Sequence, residues 1–367
     1  MQLALLFAVR VRYDLRMKTL EGDAAISEVV DGQLFTLPNS VNICARGFDN
    51  ADRATNIATL IGTCIRELSR QFDLSTLDGV TVAHDYNQAL LDIDRGYETS
   101  FRLTPSESHV VGIAMTPSVI RNGVLKSHIV LNAVHVAALE DINHEFFGSS
   151  LHTIAHECAH VEITHAFDTA FPDTLLRTLH ANARDSYRWA TTLACWDEYA
   201  ATKLSARIGT APTGAYEDTF LVSLRDTRQQ AIEYIKAFRI HRNIDQLLGE
   251  VYVAYGNLLK FAAYHLGNLS GLGCTVADMP KTRDALEGHW FQPYFNRLEG
   301  ALRGIEKDYR KWGDKRAFEA VADLADELLA QNGIHYKSRS NGQLYIDIPL
   351  TAETTPSMAE VIRLTSK

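Results

Sequence analysis

The sequence predicts an α+β fold, with strands gathered towards the front of the chain and helices towards the back. Two hairpin signals, Asp31-Gly32 and Asn122-Gly123, each stand between apolar or alternating runs. Apolar residues recur at helical spacing through 151–167 and through most of 185–266. An apolar content of 46% with 22% charged residues is that of an ordinary chain able to bury a core. With 367 residues the chain exceeds one average domain. It divides by its breakers into an N-terminal segment with a hairpin (1–50), a main domain (51–268), a helical and hairpin extension (281–350) and a tail (351–367).

In chain order, the apolar run from Leu3 to Val9 has no basic segment before it and no small-residue cleavage site after it, so it reads as a strand or loose end rather than a secretion signal. Residues 26–38 read as a hairpin. Residues 51–72 carry Ile57, Leu60, Ile61, Cys64, Ile65 and Leu68 at helical spacing behind Asp49 or Asn50 as a cap. Residues 80–83 read as a strand leading into His84-Asp85, a pair read as a solvated turn in preference to a site. Residues 110–134 form the second hairpin, immediately before the helix that matters most. Helices follow over 216–242 and 244–266, and 267–280 is breaker-rich enough to mark a boundary. Beyond it stand helices over 294–312 and 316–329 and a last hairpin over 335–348 around Asn341-Gly342. The early and late hairpins are candidates to share one accessory sheet, and 352–367 reads as a mobile end.

The stretch 151–167 contains His156-Glu157-Cys158-Ala159-His160. Two histidines four apart on a helix lie one turn apart on one face, so both imidazoles reach a single ion, with Glu157 beside them. Ser149 and Ser150 offer cap oxygens. Ile154, Cys158 and Val161 form an apolar stripe on the other face, which makes Cys158 a packing residue. The plainer reading is a solvated polar face on an ordinary helix.

The segment resembles the His-Glu-x-x-His zinc metallopeptidases, the zincins. The resemblance implies a twisted, mostly antiparallel sheet followed by a helical subdomain carrying the metal site, with His156 and His160 as zinc ligands and Glu157 as general base. The metzincin pattern fails, since Ile163 and Ala166 stand where it needs glycine and histidine, and His165 is one residue out of register. The gluzincin pattern takes its third ligand from a second helix. Residues 185–208 read as that helix, with Asp185 and Ser186 as caps and a face of small residues: Thr191, Ala194, Cys195, Ala201, Thr202 and Ser205. The one acid among them, Glu198, would point into a helix interface, where an ionised carboxylate needs a partner that a dication supplies.

Glu198 to Thr202 is similar to the Glu-x-x-Ala form of ImmA/IrrE-like and Ste24/HtpX-like peptidases. Thr202 departs from the aspartate of the latter group, leaving Asp197, Glu162 or a carbonyl to orient a zinc histidine. Glu162 and His165 are the substitute third ligands. The resemblance also implies a Tyr or His that stabilises an oxyanion; Tyr252, Tyr255, Tyr264 and His265 lie in the right part of the chain, and each reads equally well as a core residue.

Three protein ligands leave zinc one open position for water, whose pKa falls to about 7. The expected activity is zinc-dependent hydrolysis of peptide bonds in a peptide or protein substrate. The alternatives are a zincin-like binding or regulatory protein with a structural or inactive metal site, and a zinc hydrolase of a non-peptide amide. A net charge of -9 argues against a broad nucleic-acid surface. No segment is apolar enough to span a bilayer. Five cysteines without Cys-x-x-Cys pairing point to reduced thiols and a cytoplasmic chain.

Overall fold

The computed structural model of the chain describes residues 7–14, 35–105, 112–338 and 344–365. Two compact units emerge: Met1–Thr169 with Leu204–Ala211, and Ala170–Lys203 with Pro212–Lys367.

The first unit runs β1 (Phe7–Asp14), β2 (Ser40–Phe48), α1 (Ala51–Leu68), β3 (Leu77–Ala83), α2 (Tyr86–Leu91), β4 (Ala114–Met115), β5 (Ser118–Arg121), β6 (Val124–Asn132), α3 (Ala133–Val136) and α4 (Phe147–Ala170). Its sheet has the order β1-β2-β3-β6-β4, with β5 also on β6. The centre is parallel, β2 with β3 and β3 with β6, while β1, β4 and β5 run antiparallel to their neighbours. The sheet is therefore mixed, with an α+β unit built around it. α1 supplies the long crossover that the parallel pair β2 and β3 requires, whereas turn signals report only hairpins. Asn50 caps α1 by accepting from the amides of Asp52 and Arg53, and Ile57, Ala58, Ile61 and Ile65 bury its inner face.

β4 and β5 are one edge strand. The pairs Met115↔Val130 and Ser118↔Ser127 keep a single register. His128 N donates to Pro117 O at 3.0 Å and Asn132 N to Ile113 O at 3.0 Å within it. The ladder breaks only because Pro117 has no N–H to give. In an antiparallel pair, main-chain groups alternate between partner and outside. Ile113 and Pro117 face β6, so Ala114, Thr116 and Ser118 turn theirs outward. The turn to β6 is the expected one, Asn122 at φ 53° and Gly123 at φ 78°, both left-handed as a type I′ turn demands.

The second unit holds most of α5 (Ala183–Ser205), then α6 (Thr213–His241), α7 (Ile244–Leu272), α8 (Pro280–Leu286), α9 (Gln292–Lys307), α10 (Arg316–Gln331), β7 (His335–Ser338), β8 (Leu344–Asp347) and α11 (Met358–Thr365). α7 runs through Gly267 instead of breaking there. A Cβ at Gly267 would stand 2.1 Å from Tyr199 O and 2.2 Å from Thr202 Oγ1, so this glycine serves a close approach of α7 to α5. Gly256 meets Thr191 in the same way, with 3.3 Å from its ideal Cβ position to Oγ1. The small face of α5 is thus used for tight helix packing, and its Cys195, Ala201 and Thr202 are fully buried.

β7 and β8 pair with each other in a separate two-stranded sheet. The hairpin expected at 26–38 falls mostly outside the described residues, as does the Asn341-Gly342 turn. The expected mobile end instead contains α11, tied to α6 by Lys236–Glu360 at 2.8 Å and Arg363–Glu233 at 3.1 Å. Among the described residues no helix is long and apolar enough to cross a membrane.

Candidate metal centre

α4 begins at Phe147, before the serines expected to cap it. Ser150 Oγ instead donates to His135 O at 2.7 Å, and Ser149 O accepts from Thr153 Oγ1 at 3.0 Å inside the helix. The start of the helix is fixed by the segment after α5. Thr210 N donates to Gly148 O at 2.9 Å, and His152 Nδ1 lies 3.1 Å from Ile208 O. Gly209, at φ 65°, comes so near that a Cβ there would fall 2.2 Å from Gly148 O. Burial, aided by neighbouring His156, lowers the His152 pKa to about 4 against the raising effect of its carbonyl bonds. His152 is therefore neutral at pH 7 and donates through Nδ1.

One turn further on, His160 Nε2 and His156 Nε2 are 3.0 Å apart, with the rings nearly perpendicular at 89°. Two imidazole nitrogens this close need a shared proton or a cation. Two nitrogens bound tetrahedrally at zinc distances would stand about 3.3 Å apart, a few tenths of an ångström from what is found. His156, His160 and Glu198 form a group of three half-buried residues, each offering one ligand atom, with those atoms within 4.8 Å of one another. Two imidazoles and one carboxylate match the donor set of a three-ligand zinc site, so the residues present fit the ion. The helix carrying Glu198 starts earlier than expected, at Ala183, because Asn182 rather than Asp185 provides the cap, its Oδ1 accepting from Asp185 N at 3.0 Å.

Glu157 is only 5% exposed. Its Oε2 accepts a hydrogen bond from Thr116 Oγ1 at 2.6 Å. The Tyr86 hydroxyl is buried, and its acidity is suppressed by burial and then by the Glu157 charge. Neither Thr116 nor Tyr86 is among the residues the sequence singles out for a site. The place of Thr116 beside Glu157 depends on the register of the edge strand, which no local spacing reports.

The substitute ligands are engaged with another part of the first unit. Glu162 Oε2 accepts from Asp73 N at 3.0 Å, and His165 Nε2 lies 3.7 Å from Asp73 Oδ2. Thr202 bonds back along its own helix to Glu198 O at 2.7 Å. Cys158 and Cys195 are wholly buried, with both thiols pushed up chiefly by burial. His84 is an exposed residue edge-on to Phe48, and Asp85 caps α2 by accepting from Gln88 N at 2.9 Å, in keeping with a solvated turn.

The four oxyanion candidates are packed into the helical unit. Tyr252 donates to Asp326 at 3.0 Å, Tyr255 meets Asn332, Tyr264 packs on Tyr216, and His265 is fully buried against Thr282.

A groove of about 670 Å³ lies over β2, β3 and β6, lined among others by Arg121, Asp78, His128 and Thr81. These polar groups satisfy one another: Arg121 Nε reaches Asp78 at 3.1 Å, Asp78 reaches His128 Nδ1 at 3.1 Å, and His128 Nε2 reaches Thr81 Oγ1 at 3.0 Å.

No family model matches the chain, nor does any curated protein or solved structure.

Proposed function

We propose that the chain is a zinc-dependent metallopeptidase of gluzincin type, working in a reducing compartment on peptide or protein substrates. The observation that carries this reading is the grouping of His156, His160 and Glu198, whose ligand atoms lie within 4.8 Å of one another. A structural metal needs no base, and Glu157 stands next to the first ligand in sequence. Zinc held by these three residues supplies a water of lowered pKa and polarises the scissile carbonyl.

The chain's own residues do the rest. Glu157 takes the proton that the attacking water loses and returns it to the leaving amine, the transfer an amide requires. The edge strand that carries Thr116 gives an extended peptide the outward main-chain groups of Ala114 and Thr116 to pair with, and strand addition of this kind holds a substrate by its backbone. All five cysteines are free thiols, which fits a reducing compartment.

Hydrolysis of a panel of unfolded proteins, followed with and without a chelator, tests the activity. Glu157→Gln is expected to keep its zinc and lose turnover by roughly 10²–10⁴-fold, the usual contribution of a general base. His156→Ala and Glu198→Ala are expected to lose the metal. Full turnover in Glu157→Gln would remove the assigned base. Zinc content unchanged in Glu198→Ala would reassign the third ligand.

A further inference from the structure

Glu157 has two carboxylate oxygens but one proton-transfer task. Thr116 Oγ1 sits 2.6 Å from Oε2 and 3.4 Å from the Glu157 carbonyl, so its single hydroxyl proton is directed to the carboxylate. Thr116 lies in the one-register edge strand between Met115 and Pro117. The side chain of Met115 joins Tyr86 and Val130 in a separate apolar cluster. Alternation along the strand sends Thr116 to the opposite face, where Glu157 is. The position is therefore set by the strand and the hydroxyl is fixed by it.

We propose that Thr116 is the positioning residue for Glu157: its hydroxyl engages Oε2 and fixes the rotation of the carboxylate, leaving Oε1 as the oxygen that receives the proton. This rests on the hydrolase reading above. The proton balance is simple, since the O–H bond of water breaks as a new O–H bond forms on Oε1, while the Thr116 proton stays on Thr116. A buried carboxylate fixed by one donor has less rotational freedom to lose when the proton is transferred, so removing the donor should act on turnover more than on substrate binding.

The experiment has two arms. In metal-free protein, urea unfolding of Thr116→Val, Glu157→Met and the double variant gives the coupling between the two side chains. The expected result is that Thr116→Val lowers the folding equilibrium constant about tenfold with Glu157 present and several-fold less in the Glu157→Met background, a coupling within the range for groups in contact. Absence of coupling overturns the hydrogen bond and the proposal with it.

In zinc-loaded protein, Thr116→Val is expected to lower kcat about tenfold or more with KM and zinc content within about twofold of native, and Thr116→Ser to restore it. A native kcat in Thr116→Val, or failure of Thr116→Ser to restore turnover, overturns the positioning role and leaves the hydrolase reading standing. Absence of chelator-sensitive hydrolysis in the native protein overturns the hydrolase reading and the role in turnover together, while the metal-free arm still reads the hydrogen bond by itself.

Discussion

His265 is fully buried on α7, with Nε2 3.0 Å from Thr282 Oγ1, which in turn donates to Glu217 Oε1 at 2.9 Å. Because the threonine proton goes to the carboxylate, the histidine must donate, and a neutral Nε2–H form is selected. Burial lowers its pKa to about 4, opposed by Glu217. The folded value lies below the unfolded one of about 6.5, so the unfolded chain takes up the proton first as pH falls. The contribution is fully present above about pH 6.5 and is lost as pH falls towards 4, with a slope of up to about 1.4 kcal/mol per unit. Urea unfolding at pH 7 and pH 5 is expected to show a larger loss of stability in native protein than in His265→Gln; equal losses would refute the assignment. His265 also shows what is legible in single residues. The closeness of His156 and His160 is legible because it is local to one helix, and Glu198 stands out because it is the lone acid on a face of small residues. Thr116 does not, because its partner lies 41 residues away.

At the level of elements, the approach of α5 and α7 decides more than either helix alone. Gly267 is read from sequence as a breaker, yet it lies inside α7 because nothing larger fits over Tyr199 and Thr202. Composition cannot separate a glycine that ends a helix from one that lets two helices touch. Gly267→Ala is expected to destabilise the protein by about 1–3 kcal/mol, the usual cost of overpacking. Gly300→Ala, on α9 with nothing within 4 Å of the added Cβ, is expected to stabilise it by up to about 1 kcal/mol through helix propensity alone. Opposite shifts in the urea midpoint would bear this out, and equal shifts would show that the close contact carries no cost. Helix ends resist reading for a related reason. Ser149 and Ser150 look like caps, but α4 has already begun at Phe147, and the Ser150 hydroxyl donates to His135 O instead.

For the molecule as a whole, the proposed zinc site would draw its ligands from residues far apart in the chain, and on that reading metal acts as a folding ligand. Zinc at about 100 times its dissociation constant is expected to add about 2.7 kcal/mol of stability if the unfolded chain does not bind it. Thermal melts with and without zinc measure this, and a shift that survives in His156→Ala would place the stabilising ion elsewhere. The broad α+β class and the order of most elements are legible, since turns and helical periodicity are local signals. The parallel centre of the sheet is not, since pairing across a crossover leaves no mark in the spacing of residues. The hairpin closed by Asn122 and Gly123 carries a last implication. Surface turns of this kind usually tolerate inserted residues, but side chains on a strand change sides with each step. A one-residue insertion between Pro117 and the turn, if taken up as a slip in pairing, would bring Pro117 to the place of Thr116 opposite Glu157, and a two-residue one beyond Ser118 would bring Ser118 there. The first removes the hydroxyl from that place and the second supplies another, so on the proposed hydrolase reading the longer insertion is expected to be the less damaging of the two.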